Sequence, residues 1–96
     1  LGSAHRMSAP YQAFQCADGY ITIGAANHRV FCRLCEVLEH PEWATMEEFK
    51  TDGQRIRHRV ELVSRIEAIT RTHPRRFWLD RDVPLGQPWE ERKRFN

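Results

Sequence analysis

The sequence predicts a small α+β domain in which an antiparallel β-hairpin or small sheet packs against three to four helices. The first observation is a pair of short β-prone runs, Tyr11–Cys16 and residues 20–24, which are joined through Asp18-Gly19. The second observation is the helical spacing of apolar residues through most of the chain that follows. One hairpin followed by helices is therefore the predicted order of elements.

The helical segments differ in how clearly the sequence marks them. Asn27 is a suitable N-cap for a first helix that Pro41 ends, and residues 41–49 form a short, loosely helical connector. A longer amphipathic helix is predicted over about residues 54–71. The apolar stripe of the first helix comprises Phe31, Leu34, Cys35 and Leu38, and the longer helix is expected to bury Ile56, Val60, Val63, Ile66 and Ile69.

The last helix restarts near Pro74, because proline is tolerated in a first turn, and it continues through Phe77, Trp78 and Leu79. Residues 83–88 break the helical pattern. The 96 residues fit one domain, which we expect to span residues 1–96 and to end in a polar tail over residues 89–96.

The charge balance excludes some classes of partner. The chain has 15 Lys and Arg against 13 Asp and Glu, so its formal net charge is +2, far below what a nucleic-acid domain concentrates on one face. Opposite charges alternate at four-residue spacing along the long helix, which predicts a solvated, self-neutralising face. These residues are Arg57, Glu61 and Arg65, and then Glu67 with Arg71. No apolar run is long enough to cross a membrane. Neither nucleic-acid nor membrane partners are expected.

The N-terminal segment and the cysteines bear on location. LGSAHRMSAP lacks the apolar core of a signal peptide and has no initiator Met. Three cysteines are too few, and odd in number, for a disulfide scaffold. We expect a cytoplasmic protein, or a chain that begins inside a longer reading frame.

His28, Cys32 and Cys35 share one predicted helix, and residues 32–35 read C-x-x-C. Two interpretations are open. Cys35 lies on the apolar stripe, where a thiol packs as a small hydrophobe. The three side chains could instead serve metal or redox chemistry, but a structural zinc site needs four ligands and there is no second C-x-x-C pair. Packing is favoured, and neither a metal nor a cofactor is expected.

His5 is the histidine that local chemistry favours for function. It follows Gly2, Ser3 and Ala4 in a loop whose small residues permit close approach of the backbone to a ligand. The phosphate-binding patterns G-x-x-x-x-G-K-[ST] and G-x-G-x-x-G are absent, which excludes nucleotide binding by those loops.

Several short segments, taken in order, resemble the family III CoA-transferases, which include formyl-CoA transferases, carnitine and bile-acid CoA-transferases and α-methylacyl-CoA racemases. The resemblance covers about residues 1–88, and the order and spacing of the segments make it specific. The segments are Gly2-Ser3-Ala4-His5, Pro10-Tyr11-Gln12-Ala13-Phe14, Asp18-Gly19-Tyr20-Ile21-Thr22-Ile23, Phe31-Cys32-Arg33-Leu34-Cys35, Arg55 with Arg59-Val60-Glu61-Leu62, and Val83-Pro84-Leu85-Gly86.

The resemblance implies a small α+β domain that is inserted between two segments of a Rossmann-like large domain. Members of that family form interlocked homodimers and move CoA between carboxylic acids through anhydride and thioester intermediates. Gly2, Ser3, Ala4 and His5 match a loop that lies over the acyl-CoA thioester, so acyl-CoA enters as substrate and not as cofactor. The family's nucleophilic Asp belongs to the large domain and has no counterpart here, so no catalytic residue is assigned to this chain.

Three functions remain open at this stage. The first is a separated small domain of a CoA-transferase-like protein, inactive alone and lacking its large domain. The second is a free-standing binding or assembly module that self-associates through the former domain interface. The third is metal binding through His28, Cys32 and Cys35. In the first two cases we expect a homo-oligomer.

Overall fold

A computed structural model describes residues 8–86, and it confirms the α+β class. The predicted tail, residues 89–96, lies outside the described residues. The hairpin is formed by β1 (Tyr11–Cys16) and β2 (Gly19–Gly24), which pair antiparallel with Phe14 opposite Ile21 and Gln12 opposite Ile23. The Asp18-Gly19 connection is where the sequence predicts it, and β2 begins one residue earlier than expected.

Residues 84–86 extend the sheet on the outer edge of β2. The Gly24 N–H donates to the Pro84 carbonyl at 3.3 Å, and the Gly86 N–H donates to the Thr22 carbonyl at 2.8 Å. Leu85 forms an isolated antiparallel bridge with Ile23. A side chain at Gly86 would overlap the Thr22 methyl group, so this close pairing requires glycine.

Within residues 8–86, four α-helices and one 3₁₀ helix follow the hairpin. Asn27 caps the first of them, because its Oδ1 accepts the Val30 N–H at 2.9 Å, as predicted. That helix ends before Pro41, as predicted. Just after its end, Glu39 takes a left-handed backbone conformation with φ of 65°. The helices are α1 (His28–Val37), the 3₁₀ helix Pro41–Thr45, α2 (Asp52–Arg57), α3 (Arg59–Thr70) and α4 (Arg75–Asp80).

The prediction of one continuous helix over residues 54–71 is wrong. The chain leaves the helical conformation at His58, where φ is −106° and ψ is 32°, so α2 and α3 are separate helices. The His58 backbone N–H and ring Nδ1 both contact the Gln54 carbonyl, at 2.9 and 3.0 Å. This local arrangement ends α2 at Arg57, and α3 begins at Arg59.

The buried face of α3 also differs from the prediction. Ile66 is buried as expected, but its companions are Leu62 and Thr70, whereas Val60 is 85% exposed. Glu67 and Thr70 fix the rotation of α3, because both bond to the backbone of Gln15 on the edge of β1. The Glu67 carboxylate accepts the Gln15 N–H at 2.8 Å, and Thr70 Oγ1 donates to the Gln15 carbonyl at 2.8 Å. The remaining predicted core residues of this region, Ile56, Val63 and Ile69, are half-buried.

The core lies between the inner face of the hairpin and helices α1 and α3. The four residues of the predicted α1 stripe are all buried, which confirms that part of the prediction. Trp78 of α4 closes one end, and its indole N–H donates to the Thr70 carbonyl at 2.9 Å. The core residues on the hairpin and on α1 and α3 are Phe14, Cys16, Ile21, Ile23, Phe31, Leu34, Cys35, Leu38, Leu62 and Ile66.

Candidate functional site

A buried arginine stands beside the point where the described chain begins. Arg55 lies in α2, whose N-cap Thr51 accepts the Gln54 N–H at 3.1 Å. Its side chain is fully buried, and it is the largest such side chain among the described residues. A buried charge is costly unless it is paired and hydrogen-bonded. The partners of Arg55 therefore define the site.

Two backbone carbonyls accept hydrogen bonds from the Arg55 guanidinium. Nη1 donates to the Phe49 carbonyl at 2.8 Å, and Nε donates to the Ala9 carbonyl at 3.2 Å. Phe49 is six residues away along the chain, whereas Ala9 is 46 residues away. The second bond therefore joins α2 to the N-terminal part of the fold.

Three side chains complete the surroundings of the guanidinium. Nη2 forms an ion pair with the half-exposed Asp52 carboxylate. Nη1 lies 3.2 Å from His28 Nδ1, which must accept this bond because a guanidinium carries donors only. The guanidinium carbon stands 4.4 Å from the centroid of the Phe31 ring, within range of a cation–π interaction. The guanidinium is thus contacted by side chains of α1 and α2 as well as by the two backbone carbonyls, and Asp52 supplies the opposite charge.

Residues 8–10, which we call the entry segment, are held by two further bonds. The Pro10 carbonyl accepts the Ala25 N–H at 2.9 Å, and the Ser8 hydroxyl donates to the Ala26 carbonyl at 3.2 Å. Ala9 and Pro10 are fully buried. The entry segment is therefore fixed between the end of β2 and α2.

The predicted site residues Gly2, Ser3, Ala4 and His5 lie outside the described residues. The structure describes the entry segment that follows them, and this segment begins three residues after His5. Sequence reasoning noted Arg55 only as part of a resemblance, and its burial was not expected. Asp52 and Arg57 lie close to Arg55 in the sequence, and such a cluster of charged residues is typical of a solvent-exposed helix face.

The C-x-x-C residues occupy different environments. Cys35 is buried in the core, as the packing interpretation predicts, and burial is the main cause that raises the pKa of its thiol to about 12. Cys32 is half-buried, and His28 is engaged with Arg55. Within residues 8–86, no three His, Cys, Asp or Glu side chains come together as a metal ion would require.

The surface charges follow the sequence prediction only in part. Arg65 pairs with Glu61 at 2.8 Å, as the four-residue spacing predicts. The predicted pairing of Glu67 with Arg71 is replaced, since Glu67 bonds to the Gln15 backbone and Arg71 contacts the Gln15 side chain at 3.4 Å. Among residues 8–86, every helix is too short or too polar to cross a bilayer.

Comparison with known proteins gives a consistent set of relatives. The family model described as CoA-transferase family III matches residues 1–91. The chain is 42% identical over 62 residues to succinyl-CoA:glutarate CoA-transferase of Homo sapiens, covering 65% of this chain and 14% of that enzyme. It is 31% identical over 90 residues to acetyl-CoA:oxalate CoA-transferase of Acetobacter aceti, covering 90% of this chain and 23% of that enzyme.

A solved structure shares the fold. The crystal structure of a CAIB/BAIF family protein from Brucella suis superposes with a TM-score of 0.73 and 32% sequence identity, covering 86% of this chain and 23% of that protein. The chain therefore spans between about a seventh and a quarter of the length of the relatives described here.

Proposed function

Because this chain belongs to CoA-transferase family III, we propose that it acts as the small domain of an enzyme that transfers CoA between carboxylic acids. The observation that carries this proposal is the family match over residues 1–91, nearly the whole chain. The relatives that it matches are named as CoA-transferases, and the chain covers 14% and 23% of the two enzymes described above. A large Rossmann-like domain would supply the rest of the enzyme.

In this proposal Gly2, Ser3, Ala4 and His5 form a loop that covers the acyl-CoA thioester. The reaction begins when a carboxylate attacks the thioester carbonyl, the CoA thiolate leaves and a mixed anhydride forms. Such an anhydride is destroyed by water, so a loop that closes over it protects the intermediate. The fixed entry segment supports this role, because a covering loop needs a defined attachment to the domain.

The nucleophilic carboxylate is proposed to come from the large domain. The acidic side chains described above support this, since several already serve structural partners. Asp52 is paired with Arg55, Glu61 with Arg65, and Glu67 accepts the Gln15 N–H. We therefore assign no catalytic residue to this chain and expect it to be inactive alone.

We further propose that the domain associates with a large domain or with a second copy, and that the enzyme is a cytoplasmic homo-oligomer. Val60 supports the association, because it is 85% exposed beside a groove of about 330 Å³ between α3 and β1. The three unpaired thiols support a reducing compartment.

A domain exchange tests the proposed function. Residues 1–91 would replace the matching segment of the Acetobacter aceti enzyme, and the chimera would be assayed for CoA transfer from acetyl-CoA to oxalate. We expect transfer by the chimera, and a loss of about 10-fold or more when Gly2→Val stiffens the proposed loop. A folded chimera with the native enzyme's mass that transfers no CoA would contradict the proposal.

A further inference from the structure

We propose that a small cavity between the C-terminal ends of α1 and α3 and one face of α4 binds a free α-amino acid with a branched aliphatic side chain. The cavity has a volume of about 120 Å³. It shares no residue with the surroundings of Arg55, and the proposed function does not use it. Its floor is apolar, and its rim carries one negative and one positive side chain, those of Glu39 and Arg81.

The floor of the cavity suits a small aliphatic group. Leu38 and Trp78, which are both 3% exposed, line it together with half-buried Ile69. The Trp78 indole N–H is already bonded to the Thr70 carbonyl, so it offers no donor to a ligand. Because an apolar cavity of about 150 Å³ can hold benzene, this cavity has room for a branched side chain of about four carbon atoms.

Arg81 stands on the rim in a fixed orientation. Its guanidinium carbon is 3.6 Å from the centroid of the Phe77 ring, and Nη1 donates to the Phe77 carbonyl at 3.3 Å. The Nε and Nη2 atoms of Arg81 find no acceptor among residues 8–86. These two atoms form the planar fork that a carboxylate accepts. The rim therefore holds a prepared site for a carboxylate.

The wall that carries Arg81 is rigid. The His73 ring stacks on Phe77 with the centroids 3.6 Å apart, so His73 and Arg81 occupy opposite faces of the Phe77 ring. Thr72 Oγ1 donates to the Ile69 carbonyl at 2.6 Å, and it must therefore accept the proton of His73 Nδ1, at 2.9 Å. Both ends of the stack are thus held in place.

Glu39 is the second charged group of the rim, and stability alone does not explain it. Its φ of 65° is a conformation that favours glycine, and its carboxylate lies at the C-terminal end of α1, where the helix dipole favours a cation. Within residues 8–86 this exposed carboxylate forms no ion pair. A strained residue of this kind is a reason to look for function. An ammonium group would meet both the carboxylate and the negative end of α1.

The chemistry of the rim and floor together selects the ligand. Glu39 and Arg81 line one cavity but do not pair with each other. A fatty acid would pair with Arg81 and be repelled by Glu39, and an alkyl amine would meet the reverse problem. An α-amino acid carries the carboxylate, the ammonium group and the aliphatic side chain on one carbon atom. L-Leucine is therefore the probe.

A nuclear magnetic resonance titration of the 96-residue chain with L-leucine tests the site. The probe signal is the Trp78 indole N–H, and the reference is the amide of Ala25, which does not line the cavity. We expect the Trp78 signal to shift with a Kd of about 1 mM while the Ala25 signal stays in place. The matched ligands are 4-methylpentanoate, which lacks the ammonium group, 3-methylbutylamine, which lacks the carboxylate, and glycine, which lacks the side chain. Each should bind at least about 10-fold more weakly.

Substitutions separate the two charged groups from general packing. Arg81→Gln and Glu39→Gln should each weaken leucine binding about 10-fold, whereas Arg76→Gln, at an exposed position of α4 outside the cavity, should leave it unchanged. Glu39→Gly removes the carboxylate and also relieves the left-handed strain. It should therefore raise the urea midpoint of unfolding while weakening leucine binding about 10-fold. A purely structural role for Glu39 would not produce these opposite effects.

Three results would overturn the proposal. The first is a Trp78 signal that does not move with leucine at tens of millimolar. The second is binding of 4-methylpentanoate or 3-methylbutylamine as tight as that of leucine, because one of the two charged contacts would then be absent. The third is equal leucine binding by Glu39→Gly and the unsubstituted chain. CoA transfer by the chimera tests the proposed function separately, since neither measurement depends on the other.

Discussion

Asp18, in the hairpin turn, accepts a hydrogen bond from the backbone N–H of Arg75 at 2.9 Å, although the two residues are 57 positions apart. Pro74 occupies the N-cap of α4 and provides no side-chain cap. Asp18 therefore supplies from the hairpin the acceptor that a cap residue normally provides. The neighbouring Ala17 N–H donates to the His73 carbonyl at 3.0 Å, so the turn and the start of α4 are joined at two points.

Removing this distant cap should destabilise the domain. We expect Asp18→Ala to lower the free energy of unfolding by about 1 kcal/mol, because the first turn of α4 loses an acceptor. Asp18→Asn keeps an acceptor oxygen and should cost less. Equilibrium unfolding in urea measures both, with Asp80→Ala at the exposed C-terminal end of the same helix as control. Equal effects of Asp18→Ala and Asp80→Ala would refute the capping role.

The buried face of α3 predicts a contrast between two apolar residues on one helix. Ile66→Ala should lower the free energy of unfolding by about 2 to 5 kcal/mol, because Ile66 is fully buried. Val60→Ala should cost little in the monomer, because Val60 is 85% exposed. Urea unfolding at low protein concentration compares the two. An equal loss of unfolding free energy in Val60→Ala and Ile66→Ala would contradict the buried face described here and support the face that includes Val60, which the sequence periodicity predicts.

Burial of Cys35 makes part of the stability depend on pH. The pKa of its thiol is raised from 9.0 to about 12 in the folded chain, so the unfolded chain releases this proton at lower pH. The contribution of the protonated Cys35 thiol to the free energy of unfolding is complete below about pH 9, and it is lost as pH rises toward 12. The destabilisation caused by Cys35→Ala should therefore shrink between pH 8 and pH 10.5 in parallel urea titrations, in which other ionisations are shared. A pH-independent difference between the two proteins would contradict this.

The exposed groove beside Val60 predicts self-association of the isolated chain. We expect a homodimer or weak oligomer in sedimentation experiments from micromolar to millimolar concentration. Val60→Asp should shift the mass toward monomer without lowering stability, whereas Ala68→Asp, at another exposed position of α3, should have little effect. A strictly monomeric mass across this range would count against the prediction.

The parts of the fold that strong local signals mark were predictable. The Asp18-Gly19 turn fixes the hairpin, and Asn27 with a regular apolar stripe fixes α1. The face of α3 was not predictable, because its apolar residues occupy more than one stripe and contacts with the distant Gln15 select the rotation. Periodicity cannot report such contacts.

The candidate site shows the same limit. Arg55 is buried because acceptors from residues 9, 28, 49 and 52 meet around it, and only folding brings the first two near. Its place in the quoted family segments was the signal that could have drawn attention to it. The assignment of Gly2 to His5 as a substrate loop stays a prediction, since those residues lie outside the described part of the chain.

The proposal that this chain is a small domain without its own nucleophile is tested most directly by CoA exchange. The purified chain and the chimera would each be incubated with acyl-CoA donors and carboxylic acid acceptors, and exchange would be followed by mass spectrometry. We predict background exchange by the chain alone and clear turnover by the chimera. Turnover by the chain alone, abolished by replacing any one of its Asp or Glu residues, would contradict the proposal.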